Sequence, residues 1–207
     1  MQFMRPGCGW IEVVCGSMYS GKTEELIRRL RLARIARKSV AVFKPELDTR
    51  YGAQRIVSHN EQSLAGLAVD RARRIPELAG DAQVVGIDEA QFFDAELPEV
   101  CEELAREGRR VIVAGLDKDW RGAPFGPMPA LMAVAEFVTK QHAICVVCGN
   151  PANFSQRKTL SREQVLLGAT DVYEARCRQC FTVPDEEQLR LFDIDFDPAA
   201  VDKNREV

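Results

Sequence analysis

The segment Gly16–Thr23, with the sequence GSMYSGKT, limits the possible folds of this 207-residue chain more than any other feature. It matches the pattern GxxxxGK followed by Ser or Thr, and it lies between an apolar run, IEVVC, and a segment with helical periodicity. In such a unit, backbone N–H groups of the loop point at phosphate oxygens, and the helix N-terminus adds a favourable dipole. The motif predicts an α/β fold that binds a nucleoside triphosphate, with Lys22 on the outer phosphates and the Thr23 hydroxyl on a magnesium ion.

Apolar strands and amphipathic helices alternate along the chain to about residue 140. The predicted strands cover residues 11–15, 39–45, 83–90, 109–117 and 136–140, and the predicted helices cover 22–38, 71–79, 95–107 and 128–136. The strands are continuously apolar instead of alternating, which is typical of a parallel sheet covered on both faces. The expected fold class is therefore α/β, with a parallel sheet flanked by helices.

Two acidic residues end the apolar strand VVGIDEAQ at residues 84–91. In proteins that transfer phosphoryl groups, an acid at this place holds magnesium or its water ligands. Neighbouring side chains of a strand point to opposite faces, so we expect Asp88 near the metal and Glu89 toward an acceptor. A carboxylate in that second position could take the proton of an attacking hydroxyl as a general base.

Four of the seven cysteines form two CxxC pairs, which are separated by 28 residues: Cys145 with Cys148 and Cys177 with Cys180. Two such turns supply the four sulfurs of a tetrahedral zinc site with no open position, which indicates a structural metal. A thioredoxin-like redox role fits poorly, because both pairs lie in polar turns. We expect a small zinc-binding unit over residues 141–183, with the segment between the pairs projecting as a loop.

Charge and hydropathy restrict the remaining classes of function. The formal net charge is -3, which argues against a protein that binds nucleic acid by electrostatics. No apolar run approaches the roughly 20 residues of a membrane-spanning helix, and we expect no membrane partner and a cytoplasmic location. The expected organisation is a P-loop core at 1–140, the zinc-binding unit at 141–183, and an acidic, flexible tail at 184–207.

Five segments, taken together and in this order, resemble the cytosolic type II thymidine kinase family. They are GSMYSGKT, DEAQFF (88–93), GLDKDWRGAPFGP (115–127), CGNPANFSQR (148–157) and YEARCRQC (173–180). The resemblance runs from about residue 9 to residue 183 and implies a RecA-like core with a zinc-ribbon lasso that closes over the nucleoside. It implies transfer of the ATP γ-phosphate to the 5′-hydroxyl of thymidine, for nucleotide salvage. A homotetramer and feedback inhibition by thymidine triphosphate are implied as well.

The resemblance also implies roles for individual residues. Glu89 matches the catalytic base, and Asp48 and Arg50 match the segment beside the transferring phosphate, where Arg50 could stabilise developing charge. In this mechanism Lys22 clamps the phosphates. The residues implied in nucleotide binding are Gly16, Ser17, Met18, Tyr19, Ser20, Gly21, Lys22, Thr23, Asp48, Asp88 and Gln91. The residues implied around the nucleoside are Met18, Leu116, Trp120, Phe125 and Tyr173, with Gln164, Val165, Leu166, Leu167 and Gly168 at the base edge.

Two positions depart from the family pattern. Ser17 stands where proline is frequent, and Trp120 stands where a smaller aromatic residue is usual, which affects the volume of the pocket. Trp120, Phe125 and Tyr173 could also be ordinary core residues.

Two other functions are compatible with parts of the sequence. One is a RecA-like ATPase that acts on nucleic acid through its zinc ribbon, and the other is an interaction module that only retains a nucleotide site. The first predicts ATP hydrolysis stimulated by DNA and indifferent to thymidine, and the second predicts no turnover with any nucleoside.

Overall fold

The computed structural model describes residues 7–46, 55–57, 63–159 and 172–183. Asp48, Arg50, the base-edge segment 164–168 and the tail 184–207 lie outside the described residues. All seven cysteines lie within them, and none forms a disulfide. No helix in the described ranges is long and apolar enough to cross a lipid bilayer.

A six-stranded sheet, in which every adjacent pair of strands is parallel, forms the centre of the fold. Its spatial order is β5 (Leu67–Val69), β2 (Val40–Pro45), β6 (Val84–Ile87), β7 (Arg110–Gly115), β1 (Trp10–Gly16) and β8 (Phe137–Gln141). The predicted α/β class with a parallel sheet is confirmed.

Four helices and three small hairpins complete the described chain. The helices are α1 (Lys22–Ile35), α2 (Ile75–Ala79), α3 (Leu97–Arg106) and α4 (Met128–Val134), with 3₁₀ turns at Ala72–Arg74 and Ala90–Phe92. The hairpins pair β3 (Arg55–Val57) with β4 (Ser63–Ala65), β9 (Ala143–Ile144) with β10 (Pro151–Ala152), and β11 (Phe154–Arg157) with β12 (Tyr173–Arg176).

Several predicted boundaries were wrong, and three of these errors have clear local reasons. The first helix ends at Ile35 instead of residue 38, because Arg37 adopts a left-handed conformation with φ 60°. The fourth ends at Val134, because Ala135 is extended. The third strand ends at Ile87 and not at residue 90, so Asp88 and Glu89 belong to a turn instead of a strand. The short edge strand β5 was not predicted.

Alternate side chains of the central strands serve two separate cores. On β1, Val13 faces a large core under α2, α3 and α4, while Val14 faces a smaller core under α1. On β7, Val113 and Ile112 divide in the same way. Both faces of the sheet are therefore covered, which explains the continuously apolar strands.

A glycine lets α1 approach the sheet closely. A Cβ atom added to Gly86 on β6 would lie 2.7 Å from Cδ1 of Leu30, which is fully buried on α1. Helix α1 follows the phosphate loop directly, so this contact fixes the depth at which the loop lies over the sheet edge.

One buried carboxylate on β1 pairs with cations from two neighbouring elements. Glu12 accepts hydrogen bonds from Arg110 Nε on β7 at 2.6 Å, from Arg29 Nη1 on α1 at 2.8 Å and from Trp10 Nε1 at 2.6 Å. Burial raises its pKa, but these hydrogen bonds and the two positive charges outweigh burial and lower the pKa below its ordinary value of 4.5. Glu12 thus joins helix α1 to the middle of the sheet.

We expect Glu12→Gln to lower the free energy of unfolding by about 1.5–3 kcal/mol at neutral pH, because Arg29 and Arg110 lose the charged acceptor of their hydrogen bonds. The pKa is lowered in the folded state, so this stabilisation is present above pH 4.5 and disappears as the pH falls through the folded-state value. Urea unfolding at a series of pH values measures the difference. Glu102→Gln, which removes an exposed pair with Arg106, should change stability by less than about 1 kcal/mol at every pH.

Candidate active site

The phosphate loop joins the carboxyl end of β1 to the N-terminus of α1. Gly21 precedes the helix in the left-handed region, with φ 83°, a conformation that glycine adopts without steric cost. Inside the loop, Lys22 Nζ donates to the Ser17 carbonyl at 2.7 Å and Ser20 Oγ donates to the same oxygen at 2.8 Å. The loop is therefore closed on itself, with its lysine directed back along the loop.

The two acids that follow β6 lie beside this loop. Thr23 Oγ1 donates to Asp88 Oδ1 at 3.3 Å, and the Glu89 amide donates to the same oxygen at 3.0 Å. Glu89 has φ 50°, a left-handed conformation that costs a residue with a side chain about 1 kcal/mol or more. The strain re-aims the Glu89 side chain away from the direction that a continuing strand would give it.

Gln91 holds the carboxylate of Glu89. Its Nε2 donates to Glu89 Oε2 at 2.5 Å, and its Oε1 accepts from the Leu116 amide, beyond the end of β7, at 2.9 Å. The Gln91 side chain is buried. These contacts let Gln91 orient Glu89, while the role in nucleotide binding that the resemblance implies for Gln91 stays a prediction.

Charges near the loop shift two pKa values. Burial, followed by the negative charge of Glu89, raises the pKa of Asp88 to about 7. Burial lowers the pKa of Lys22, and the charges of Glu89, Asp88 and Asp117 act in the opposite direction. A cation at Asp88 would favour its charged form, so this acid is suited to bind one.

A further buried acid, Asp117, lies next to this group. Its Oδ2 accepts from Lys140 Nζ on β8 at 2.6 Å, while its Oδ1 is buried without a hydrogen-bond partner among the described residues. No role for Asp117 follows from the sequence motifs, although the residue lies inside the segment GLDKDWRGAPFGP. Its charge contributes to the negative field around Lys22.

Four of the residues expected around the nucleoside pack in one place. Met18, Trp120 and Tyr173 form a buried cluster, and Leu116 packs against it; we call these four residues the aromatic cluster. Phe125 lies elsewhere, edge-on to Phe92 with ring centroids 5.6 Å apart. The base-edge residues and the Asp48–Arg50 segment stay predictions.

Sequence reasoning missed Arg157, which supports the aromatic cluster from β11. Its guanidinium carbon lies 4.6 Å from the centroid of the Trp120 ring and 5.3 Å from that of Tyr173, and its Nη2 donates to the Tyr173 hydroxyl at 2.6 Å. The residue is buried. Its only sequence signal was its place at the end of the quoted segment CGNPANFSQR.

The two CxxC pairs meet in one cluster. The Sγ atoms of Cys145, Cys148, Cys177 and Cys180 all lie within 4.8 Å of one another. Tetrahedral zinc with Zn–S bonds of about 2.3 Å places its sulfurs about 3.8 Å apart, so the four sulfurs fit one such ion. Desolvation raises the pKa of Cys145, but hydrogen bonds from the backbone of Cys177, Val147 and Cys148 lower it to about 6, whereas side-chain hydrogen bonds with Cys148 and Cys177 raise the pKa of Cys180 to about 12.

A phosphate loop after one parallel strand, with an acid pair after a second strand that is separated from it by β7, defines the class of P-loop nucleotide-binding proteins. The family model described as "Thymidine kinase" matches residues 9–181. The chain therefore belongs to the thymidine kinase family and is a kinase, which confirms the resemblance and implies ATP as the phosphate donor.

Curated relatives agree with the family model. The chain is 62% identical to "Thymidine kinase" of Rhodothermus sp. (strain ITI 518) over 176 residues, which is 85% of this chain and 83% of that protein. It is 55% identical to the proteins of the same name from Bacteroides fragilis (strain YCH46) and Bacteroides thetaiotaomicron, each over 84% of this chain and 87% of the relative.

We expect Gln91→Met to lower kcat about tenfold or more with little change in KM for either substrate. The substitution keeps the volume but removes the hydrogen bond that orients Glu89, and misplacement of a reacting group lowers the rate of the chemical step. Steady-state kinetics measure both constants. The exposed Gln83→Met serves as a control, and a rise in KM at unchanged kcat would show that Gln91 binds substrate instead of orienting Glu89.

Proposed function

We propose that the chain transfers the γ-phosphate of ATP to the 5′-hydroxyl of thymidine, giving ADP and thymidine monophosphate. The observation that carries this proposal is the meeting of the phosphate loop, Glu89 and the aromatic cluster at one edge of the sheet. Membership in the thymidine kinase family supports the identity of the acceptor.

Glu89 acts as the general base. Its carboxylate takes the proton of the 5′-hydroxyl while the hydroxyl oxygen forms a bond to the γ-phosphorus, and the bond from that phosphorus to the β–γ bridging oxygen breaks. Gln91 holds the carboxylate in place during the transfer. Lys22 leaves the Ser17 carbonyl and neutralises charge on the transferring group.

Magnesium would be held by Thr23 and Asp88, whose oxygens lie 3.3 Å apart and are the hard ligands that this ion prefers. When bound, the ion shields the phosphate charges from the incoming nucleophile. By resemblance, Arg50 and Asp48 lie beside the transferring phosphate, and Arg50 stabilises its developing charge.

The nucleoside base would stack in the aromatic cluster, with the segment from Gln164 to Gly168 at its edge. Trp120 restricts the volume of this pocket, because it is larger than the phenylalanine or tyrosine that is usual in the family. Phe125 is proposed as a further wall on the Phe92 side. This arrangement favours a flat pyrimidine ring over a larger purine.

The cysteine cluster would hold a structural zinc ion, and the residues that surround it, 141–183, would form the lasso unit beside the 1–140 core. All four positions are sulfurs, which leaves no site for catalysis at the metal. A homotetramer, inhibition by thymidine triphosphate and a cytoplasmic location belong to the same proposal and rest on the resemblance.

We expect Glu89→Gln to lower thymidine phosphorylation by about 10²–10⁴-fold, because glutamine cannot accept the proton. The affinity for ATP should change little, since the phosphate loop is intact. Initial rates and nucleotide-binding titrations measure the two quantities. Glu77→Gln, at a site whose side chain is 79% exposed, is the matched control, and a near-normal rate in Glu89→Gln would contradict the assignment of the base.

We expect about one zinc ion per chain, by elemental analysis of the purified protein. Cys148→Ser should lose most of this metal and lower the midpoint of thermal unfolding, because the small unit has little apolar core besides its metal site. Cys8→Ser, which changes an exposed thiol outside the cluster, should keep the metal. Full zinc content in Cys148→Ser would contradict the four-sulfur site.

A further inference from the structure

The first half of the phosphate loop is hydrogen-bonded to the strands that surround the cysteine cluster. Ser17 Oγ donates to the Ala152 carbonyl at 3.2 Å, and the Met18 amide donates to Ser155 Oγ at 3.0 Å. Tyr19 Oη donates to the Tyr173 carbonyl, on β12, at 3.1 Å. The loop is thus attached to elements more than 130 residues away in the sequence.

Tyr19 occupies the centre of this attachment. Its φ of 64° lies in the left-handed region, which turns its side chain out of the loop. The ring packs against both the aromatic cluster and the core around the cysteines. A single side chain of the loop therefore contacts both the nucleoside side of the site and the cysteine cluster.

Binding of the ATP phosphates must change the hydrogen bonds within the phosphate loop. In the present structure Lys22 and Ser20 both donate to the Ser17 carbonyl. A phosphate that attracts the Lys22 ammonium removes one of these two bonds, so the backbone from Ser17 to Tyr19 can adjust to the position that the Tyr19–Tyr173 hydrogen bond favours.

On the nucleoside side, Tyr173 is the residue that connects the phosphate loop to the aromatic cluster. The Tyr173 ring belongs to the aromatic cluster, and its hydroxyl accepts from Arg157 at 2.6 Å. The Lys158 amide donates to the Val172 carbonyl at 2.8 Å, so two positions within the segment between the cysteine pairs meet directly before Tyr173. A nucleoside that contacts the Tyr173 ring therefore acts on the same residue whose carbonyl accepts from Tyr19.

We propose that Tyr19 is a positioning residue that couples the two substrates: its hydrogen bond to the Tyr173 carbonyl makes donor binding and nucleoside binding favour each other. This inference rests on the proposed function, because it takes thymidine as the ligand of the aromatic cluster. The coupling is reciprocal, so each ligand changes the affinity of the other by the same factor. Tyr19 acts through the Tyr173 backbone and needs no contact with the reacting atoms.

The test is calorimetric titration of thymidine into the full chain, with and without a saturating non-hydrolysable β,γ-methylene analogue of ATP and magnesium. In the wild type we expect the analogue to tighten thymidine binding about two- to tenfold, the range that one net hydrogen bond supplies. In Tyr19→Phe, which removes only the hydroxyl, this factor should fall to near one, while the affinity for thymidine alone changes less than about twofold.

Tyr173→Phe is the matched control, because it removes a hydroxyl that faces Arg157 and not the loop. We expect it to weaken thymidine binding equally with and without the analogue, so that the coupling factor is retained. A coupling factor of one in the wild type, or an unchanged coupling factor in Tyr19→Phe, would overturn the coupling. Neither result would contradict the proposed kinase function. Absence of thymidine binding to the wild type would overturn the proposed function together with the coupling.

Discussion

Parallel pairing of the six sheet strands is the constraint on which the site depends. Because the strands run in one direction, the carboxyl ends of β1, β6 and β7 meet at one edge, and the segments that follow them lie side by side. The phosphate loop follows β1, the acids Asp88 and Glu89 follow β6, and Leu116 follows β7. The Gln91 side chain then joins Glu89 of the second segment to Leu116 of the third.

The same edge concentrates charge that the structure must compensate. Three acids, Asp88, Glu89 and Asp117, lie close enough to Lys22 to affect its pKa. Burial disfavours the charged forms of Lys22 and Asp88, because it removes them from water. The hydrogen bonds from Thr23 and from the Glu89 backbone offset part of this cost at Asp88. A site with such an arrangement is suited to a ligand that carries both phosphates and a cation, because the phosphates attract Lys22 and the cation attracts Asp88.

The sequence predicted the parts of this site that follow from contiguous motifs. The phosphate loop, the acid pair and the two CxxC pairs are each readable because local spacing determines their geometry. Arg157 could not be found in this way, because its aromatic partners come from residues 120 and 173 and meet only in the folded chain. The left-handed turn at Glu89 was missed for another reason, since positive φ is usually marked by a glycine and this position carries a glutamate.

The most direct test of the account is a screen of phosphate acceptors, in which ATP consumption and product mass are measured for each common nucleoside, with duplex and single-stranded DNA included. The account predicts that thymidine is converted to its monophosphate with one ADP formed per molecule, and that DNA has no effect. ATP hydrolysis that DNA stimulates and that thymidine leaves unchanged would contradict it.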